Sequence, residues 1–211
     1  MFLKSPEPIE RIRRTNVIWE GLAWPGYEHL CLEEWTSGFT VDGLIIAVVG
    51  ALPSRTWYRI ELESDWTFRS LKLSHTVEFS DFDDGPLDLD NPGIDLVRAT
   101  DGMWDHDLED QSIDLAGCTD IDIAVTPFTN TLPIRRLNLT AGESAEIDVV
   151  YISVPDLALS PARQRYTRTA DTTYRFESLS SGFTAEITVD EHGLVMDYPN
   201  LFRRVWPSRS S

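Results

Sequence analysis

Residues 57–73, WYRIELESDWTFRSLKL, decide the fold. Through Glu63 the side chains alternate. Trp57, Arg59, Glu61 and Glu63 fall on one side, and Tyr58, Ile60 and Leu62 on the other. A period of two is the mark of a half-buried β-strand. After the polar turn at Ser64 and Asp65 the pattern resumes with Trp66, Phe68, Leu71 and Leu73. Its phase slips near Ser70, which predicts a β-bulge there. Working outward, residues 121–125, 146–154, 173–177 and 183–189 repeat the same period. Residues 44–49, LIIAVV between Gly43 and Gly50, read as a short strand buried on both faces. Helical signals are confined to one short turn over residues 6–14 and a second segment over 156–166, broken by Pro161. The chain is therefore expected to be mainly β: a strongly curved antiparallel sheet or incomplete β-barrel with few short helices. Curvature or closure is how such a sheet protects its edges.

The sequence has 211 residues and reads as one domain, 1–211, with 1–14 and 207–211 loosely ordered. A net charge of −17 argues against a nucleic-acid partner and against an anionic membrane surface. Lysine occurs only at positions 4 and 72. The acidic, lysine-poor balance fits both a salt-adapted protein and a GC-rich genome. Cys31 and Cys118 are far apart and belong to no CxxC or Cys/His cluster, so they read as two free, buried thiols in a reducing compartment. The N-terminus has no apolar core of a signal peptide, and the longest apolar run, LIIAVVGAL at 44–52, is too short to span a membrane. The expectation is a soluble, cytoplasmic protein without stable membrane insertion.

Residues 80–114 are acidic and punctuated by Gly and Pro, with two strand-like pieces at 94–99 and 102–105. Asp81-Phe82-Asp83-Asp84-Gly85 departs from the calcium-loop pattern, so a solvated acidic loop is the default. Two similar halves are also suggested. YRIE at 58–61 recurs as YRFE at 174–177, and TVDGLI at 40–45 resembles TVDEHGLV at 188–195. The order of the motifs is reversed between the halves, which a simple tandem repeat does not predict.

No catalytic motif stands out. Glu28 and His29 are adjacent and so point to opposite faces of a strand. His75, His106 and His192 are isolated, no HxH or HExxH spacing exists, and no GxSxG elbow is present. Asp120 and Asp122 share one face of a strand, and the pair reads best as ion-pair partners of Arg135 and Arg136 on a neighbouring strand. Trp19, Trp24, Trp35, Trp57, Trp66 and Trp104 suit both a core and the walls of a site where an apolar face meets a polar edge. No cofactor and no metal is expected.

Residues 126–137, TPFTNTLPIRRL, read as a stiff, polar, proline-bracketed loop running into the paired arginines and then a strand. This segment, with GYEHL at 26–30, YRIELESDW at 58–66, DGMW at 101–104, LAGCTDIDIAV at 115–125, QRYTR at 164–168 and VDEHGLVMDYPNLFRRV at 189–205, resembles the bacterial putative glycolipid-binding family. The resemblance covers nearly the whole chain, and the acidic stretch at 81–95 departs from it most. It implies a β-rich, barrel-like fold enclosing a ligand cavity. The function expected on this basis is binding of a glycolipid or other amphiphilic small molecule. Arg135, Arg136, Asn130, Glu28, His29 and Tyr58 are expected as polar or mouth contacts, with Trp66 and Trp104 as walls. Two alternatives stay open: an enzyme acting on a sugar or lipid derivative through Glu28/His29 and Asp120/Asp122, and a structural or partner-binding domain whose cavity its own side chains fill.

Overall fold

The structure, a computed structural model, describes residues 9–49, 52–77, 93–107 and 113–207. The strands of the first half are β1 (Arg11–Gly21), β2 (Gly26–Trp35), β3 (Gly38–Val49), β4 (Leu52–Leu62), β5 (Phe68–Val77), β6 (Ile94–Arg98) and β7 (Trp104–His106). Next come β8 (Asp120–Ile123), a 3-10 turn (Phe128–Asn130) and the helix α1 (Thr131–Leu137). The remaining strands are β9 (Ser144–Ile152), β10 (Leu159–Ala170), β11 (Thr173–Ser178), β12 (Thr184–Val189), β13 (Val195–Tyr198) and β14 (Phe202–Trp206). All belong to one sheet of order β7-β6-β5-β4-β3-β2-β1-β14-β13-β12-β11-β10-β9-β8. Every pairing is antiparallel except β8 with β9.

The expected mainly β architecture is present, but the barrel is not. The hydrogen-bonded ladder ends at β7 on one side and β8 on the other, so the sheet is open. Both end strands are very short, three and four residues, which limits the exposed edge without closure.

The alternation read at 57–73 holds. Tyr58, Ile60 and Leu62 are fully buried. Between Glu61 and Leu62 the partner jumps from Ser70 to Phe68, so Arg69 is the extra residue of a bulge. That bulge lets both Phe68 and Leu71 face the core.

Three sequence expectations fail. The run at 44–49 is the second half of β3 and is covered on one face only. Ile45 and Ala47 are buried, while Ile46 is 58% exposed. An antiparallel sheet needs only one face against the core. The helical turn expected over 6–14 is absent from Arg11 onward, where β1 pairs with β2; residues 6–8 lie outside the described residues. The segment at 156–166 is largely β10. Pro161 is tolerated because β10 is paired only with β9 there, and pairing with β11 begins at Gln164. The aspartates at 81–84 lie outside the described residues.

YRIE falls on β4 and YRFE on β11, each the fourth strand from the central β1–β14 pairing. TVDGLI lies wholly within β3, whereas TVDEHGLV runs from β12 through a turn into β13. β3 and β12 are each the third strand from that pairing, so the second pair starts on corresponding strands but diverges where the later copy leaves β12 for a turn.

Two apolar clusters form the interior. One joins β1–β6 to β8, the 3-10 turn and α1 through residues such as Trp19, Leu30, Tyr58, Leu73, Ile123 and Leu132. The other lies on β9–β14, around Tyr166, Phe176, Ile187 and Tyr198.

Gly43 sits opposite Tyr58 in the β3–β4 register, and a Cβ there would lie 2.2 Å from the Tyr58 ring. The missing side chain lets the ring cross β3 and bring its hydroxyl to Glu28 on β2. Gly43→Ala should therefore cost about 2 kcal/mol of stability through overpacking. Urea denaturation followed by tryptophan fluorescence would measure it, and an unchanged midpoint would mean the ring has room to move.

Candidate functional site

The site is built by the segment expected to be a loop followed by a strand. It is instead a 3-10 turn and a seven-residue helix. Pro133 is the third residue of α1, where the backbone N–H has no acceptor within the helix, so proline removes no hydrogen bond. A helix this short has little stability of its own. Burial holds it: Phe128 and Leu132 enter the first cluster and Ile134 the second. Each contributes roughly 1.5–3 kcal/mol of apolar burial. The threonines that suggested a solvated loop are buried as well. Thr131 donates to the Gly193 carbonyl at 3.0 Å, tying α1 to the β12–β13 turn.

Three buried polar groupings sit where this segment meets the sheet. In the first, Glu28 accepts from the Tyr58 hydroxyl and, at 2.8 Å, from the Thr126 hydroxyl. Thr126 in turn accepts from the Phe128 N–H at 3.0 Å. The other Glu28 oxygen, Oε2, is buried without a partner among the described residues. Burial pushes the Glu28 carboxyl up to about 8, against the lowering pull of the Tyr58 and Thr126 hydroxyls. Burial, reinforced by Glu28, also raises the Tyr58 phenol, which keeps it a donor.

In the second, Asp120 is fully buried and takes both arms of Arg136, with Nε to Oδ1 at 3.2 Å. Thr119 donates to the same carboxylate at 2.9 Å. The expected ion pair exists, but its arginine is on a helix and only one aspartate takes part. Asp122 accepts instead from Gln164 Nε2 at 2.7 Å and Thr129 Oγ1 at 3.2 Å, the third grouping. Burial raises the Asp122 pKa despite both hydrogen bonds. Beside it, Asn130 accepts from the Tyr166 hydroxyl at 2.9 Å and donates to the Pro127 carbonyl.

Asp122, Gln164 and Asn130 line a half-open pocket of about 500 Å³ on the second half of the sheet. Its walls are aromatic and apolar: Phe176, Phe183, Tyr198 and Phe202 from β11–β14, Tyr151 from β9, and Ile123 and Ala124 at β8. Phe176, Phe183 and Tyr198 are mutual neighbours with ring centroids 6.2–6.3 Å apart. Ser178, Ser180 and Ser181 stand at the same pocket. Burial, with Asp122 nearby, raises the phenols of Tyr151 and Tyr198, so both are hydrogen-bond donors at neutral pH.

A second, polar cleft of about 530 Å³ lies against α1 and includes Trp66, Arg135, Arg136, Arg168 and Asp190. Arg135 is exposed there, its guanidinium 5.3 Å from the centre of the Trp66 ring. Trp66 holds a left-handed φ of 71°, uncommon for a bulky residue, and packs on Phe39.

The eight residues expected from sequence thus do not form one site. Asn130 lines the aromatic pocket; Arg135, Arg136 and Trp66 line the polar cleft. Glu28 and Tyr58 are buried behind Thr126, which itself reaches the aromatic pocket. His29 is on the opposite, exposed face of β2 and meets Asn16, so Glu28 and His29 do not converge. Trp104 stacks on Phe68 and donates to the Cys118 carbonyl. Cys31 and Cys118 are free and buried, and burial pushes the Cys118 thiol up to about 11. Sequence reasoning missed Gln164, Tyr151 and the Phe176, Phe183 and Tyr198 wall. The alternation of Tyr174 with Phe176 marked an inward face, but nothing local indicated an uncovered one.

Among the described residues no helix is long and apolar enough to cross a membrane, and no group of three or more His, Cys, Asp and Glu is placed to hold a metal ion. No curated protein matches the chain. A crystal structure of a DUF1089 family protein from Pseudomonas aeruginosa is similar to it. The two share 34% identity over 85% of this chain and 92% of that one, with a TM-score of 0.70. The family pattern described as "Putative glycolipid-binding" matches residues 16–204. With pattern and solved relative both spanning most of its length, the chain belongs to this putative glycolipid-binding family.

Proposed function

We propose that the protein binds an amphiphilic small molecule of glycolipid type in the aromatic pocket. The observation that carries this reading is the lining: four Phe and Tyr rings of β11–β14 face Asp122, Gln164 and Asn130 across about 500 Å³. Small-molecule sites have this size, with mostly apolar walls and a few placed polar groups. The apolar part of the ligand packs on Phe176, Phe183 and Phe202, and its head hydrogen-bonds to the polar floor. The family description supports the same ligand class. We place the encounter in the cytoplasm, on the composition reading and the two free thiols.

Native mass spectrometry of the purified protein, with organic extraction and lipid analysis, tests this. A co-purifying amphiphile is expected. Phe183 is 42% exposed, so Phe183→Ala should weaken retention at least about tenfold with little change in melting temperature. Arg135→Ala, in the polar cleft, is the contrast. Ligand kept in Arg135→Ala and lost in Phe183→Ala assigns binding to the aromatic pocket; the reverse assigns it to the cleft. An apo mass after incubation with a broad lipid panel would remove the reading.

A further inference from the structure

The glycolipid description covers both neutral and anionic headgroups, and the charges around the pocket bear on which it takes. Among its described lining residues there is no Lys, Arg or His, and one carboxylate, Asp122. Recognition of phosphate or carboxylate relies on arginine forks, lysine or backbone anion nests. The arginines of β10 and β11 nearest in sequence are committed elsewhere: Arg163 and Arg165 to Glu146, and Arg175 to Glu177. Arg136, the cation closest in sequence to Asn130 after Arg135, is held by Asp120. Asp122 is fixed in place by Gln164 and Thr129, one donor to each oxygen, and each oxygen keeps acceptor capacity for a further hydroxyl.

We infer that this pocket selects amphiphiles by headgroup charge, taking an uncharged, hydroxyl-bearing head and rejecting an anionic one, with Asp122 as the specificity-determining residue. The inference rests on the amphiphile reading above. A neutral polyol donates hydroxyls to Asp122 and accepts from Tyr151 and Tyr198. An anionic head would face a partly enclosed carboxylate with no compensating cation among the described lining residues. Burial already disfavours the charged form of Asp122, and a second negative charge adds to that strain.

The test uses three probes with one tail and different heads: dodecyl glucoside, dodecyl phosphate and dodecyltrimethylammonium, each below its micelle concentration. Binding is read by tryptophan fluorescence and native mass spectrometry of the full chain. The glucoside should bind at least about 30-fold more tightly than the phosphate. Asp122→Asn should narrow that gap to within about threefold. Because Asp122→Asn could impair folding, a second variant adds the missing cation at an exposed lining position. Ser160→Lys should raise dodecyl phosphate affinity at least about tenfold, with circular dichroism confirming the fold. Equal binding of glucoside and phosphate by the unaltered protein overturns the inference and leaves the amphiphile reading standing. Tightest binding of the ammonium overturns it in favour of a cation site. If none of the three binds, the amphiphile reading itself falls, and the inference with it.

Discussion

Arg136→Met should destabilise the protein by about 3–5 kcal/mol. Asp120 has no solvent exposure, and its charge is balanced by the bidentate contact with Arg136. Removing the arginine leaves a buried carboxylate with, among the described residues, only the Thr119 hydroxyl as side-chain hydrogen-bond partner. The loss reflects that uncompensated charge rather than the worth of the pair. The double variant Asp120→Leu/Arg136→Met should therefore recover most of the stability, since an apolar pair of similar volume is often neutral or better. Urea unfolding of the two variants measures both terms. A single variant within about 1 kcal/mol of the unaltered protein would show that water reaches Asp120 and that the pair does not anchor α1 to β8.

The second large effect is a pH dependence centred on Glu28. Its carboxyl ionises at about 8 in the fold, against an ordinary value of 4.5. Below pH 4.5 the folded and unfolded chains both keep the proton, and the group leaves stability unchanged. Between 4.5 and about 8 the unfolded chain releases the proton while the fold retains it, so stability falls as pH rises. Above about 8 both forms are ionised, and the accumulated loss is on the order of 5 kcal/mol. Glu28→Gln keeps the shape and can still accept from Tyr58 and Thr126, but it cannot ionise. The stability difference between the two proteins should swing toward the glutamine variant by several kcal/mol between pH 5 and pH 9. Parallel stability curves across that range would mean that Glu28 is charged and solvated. The cluster also joins β2 and β4 to the segment after β8. Amide hydrogen exchange around Phe128 should therefore quicken as pH rises beyond what intrinsic exchange rates require.

The strands were legible because their pattern is local. Tyr58, Ile60 and Leu62 are two apart and face one way whatever surrounds them, and the slip at Ser70 marked the bulge at Arg69. The helix was not legible for the opposite reason. Thr129, Asn130 and Thr131 look like turn residues, and Pro133 looks like a breaker. Their helical conformation is set by what they pack against: the Gly193 carbonyl, the Tyr166 hydroxyl and two apolar clusters from distant strands. The site follows the same division. Glu28 and Tyr58 were singled out from sequence, but their contact depends on Gly43 lying between them on β3. Arg135 and Arg136 are adjacent in sequence and line the same polar cleft, yet Arg136 is partly buried against Asp120 while Arg135 is exposed over Trp66.

By itself the sequence determined the mainly β class, the inward faces of strands such as β4, the buried thiols and the family. Side-chain alternation and extended family motifs carry that information within a few residues of one another. The tertiary structure alone decided that the sheet stays open, that residues 128–137 are helical, and that Asp122 rather than Arg135 faces the aromatic pocket. Those outcomes depend on which strands meet across more than a hundred residues of chain, and on which buried charges find partners there. No local periodicity encodes either.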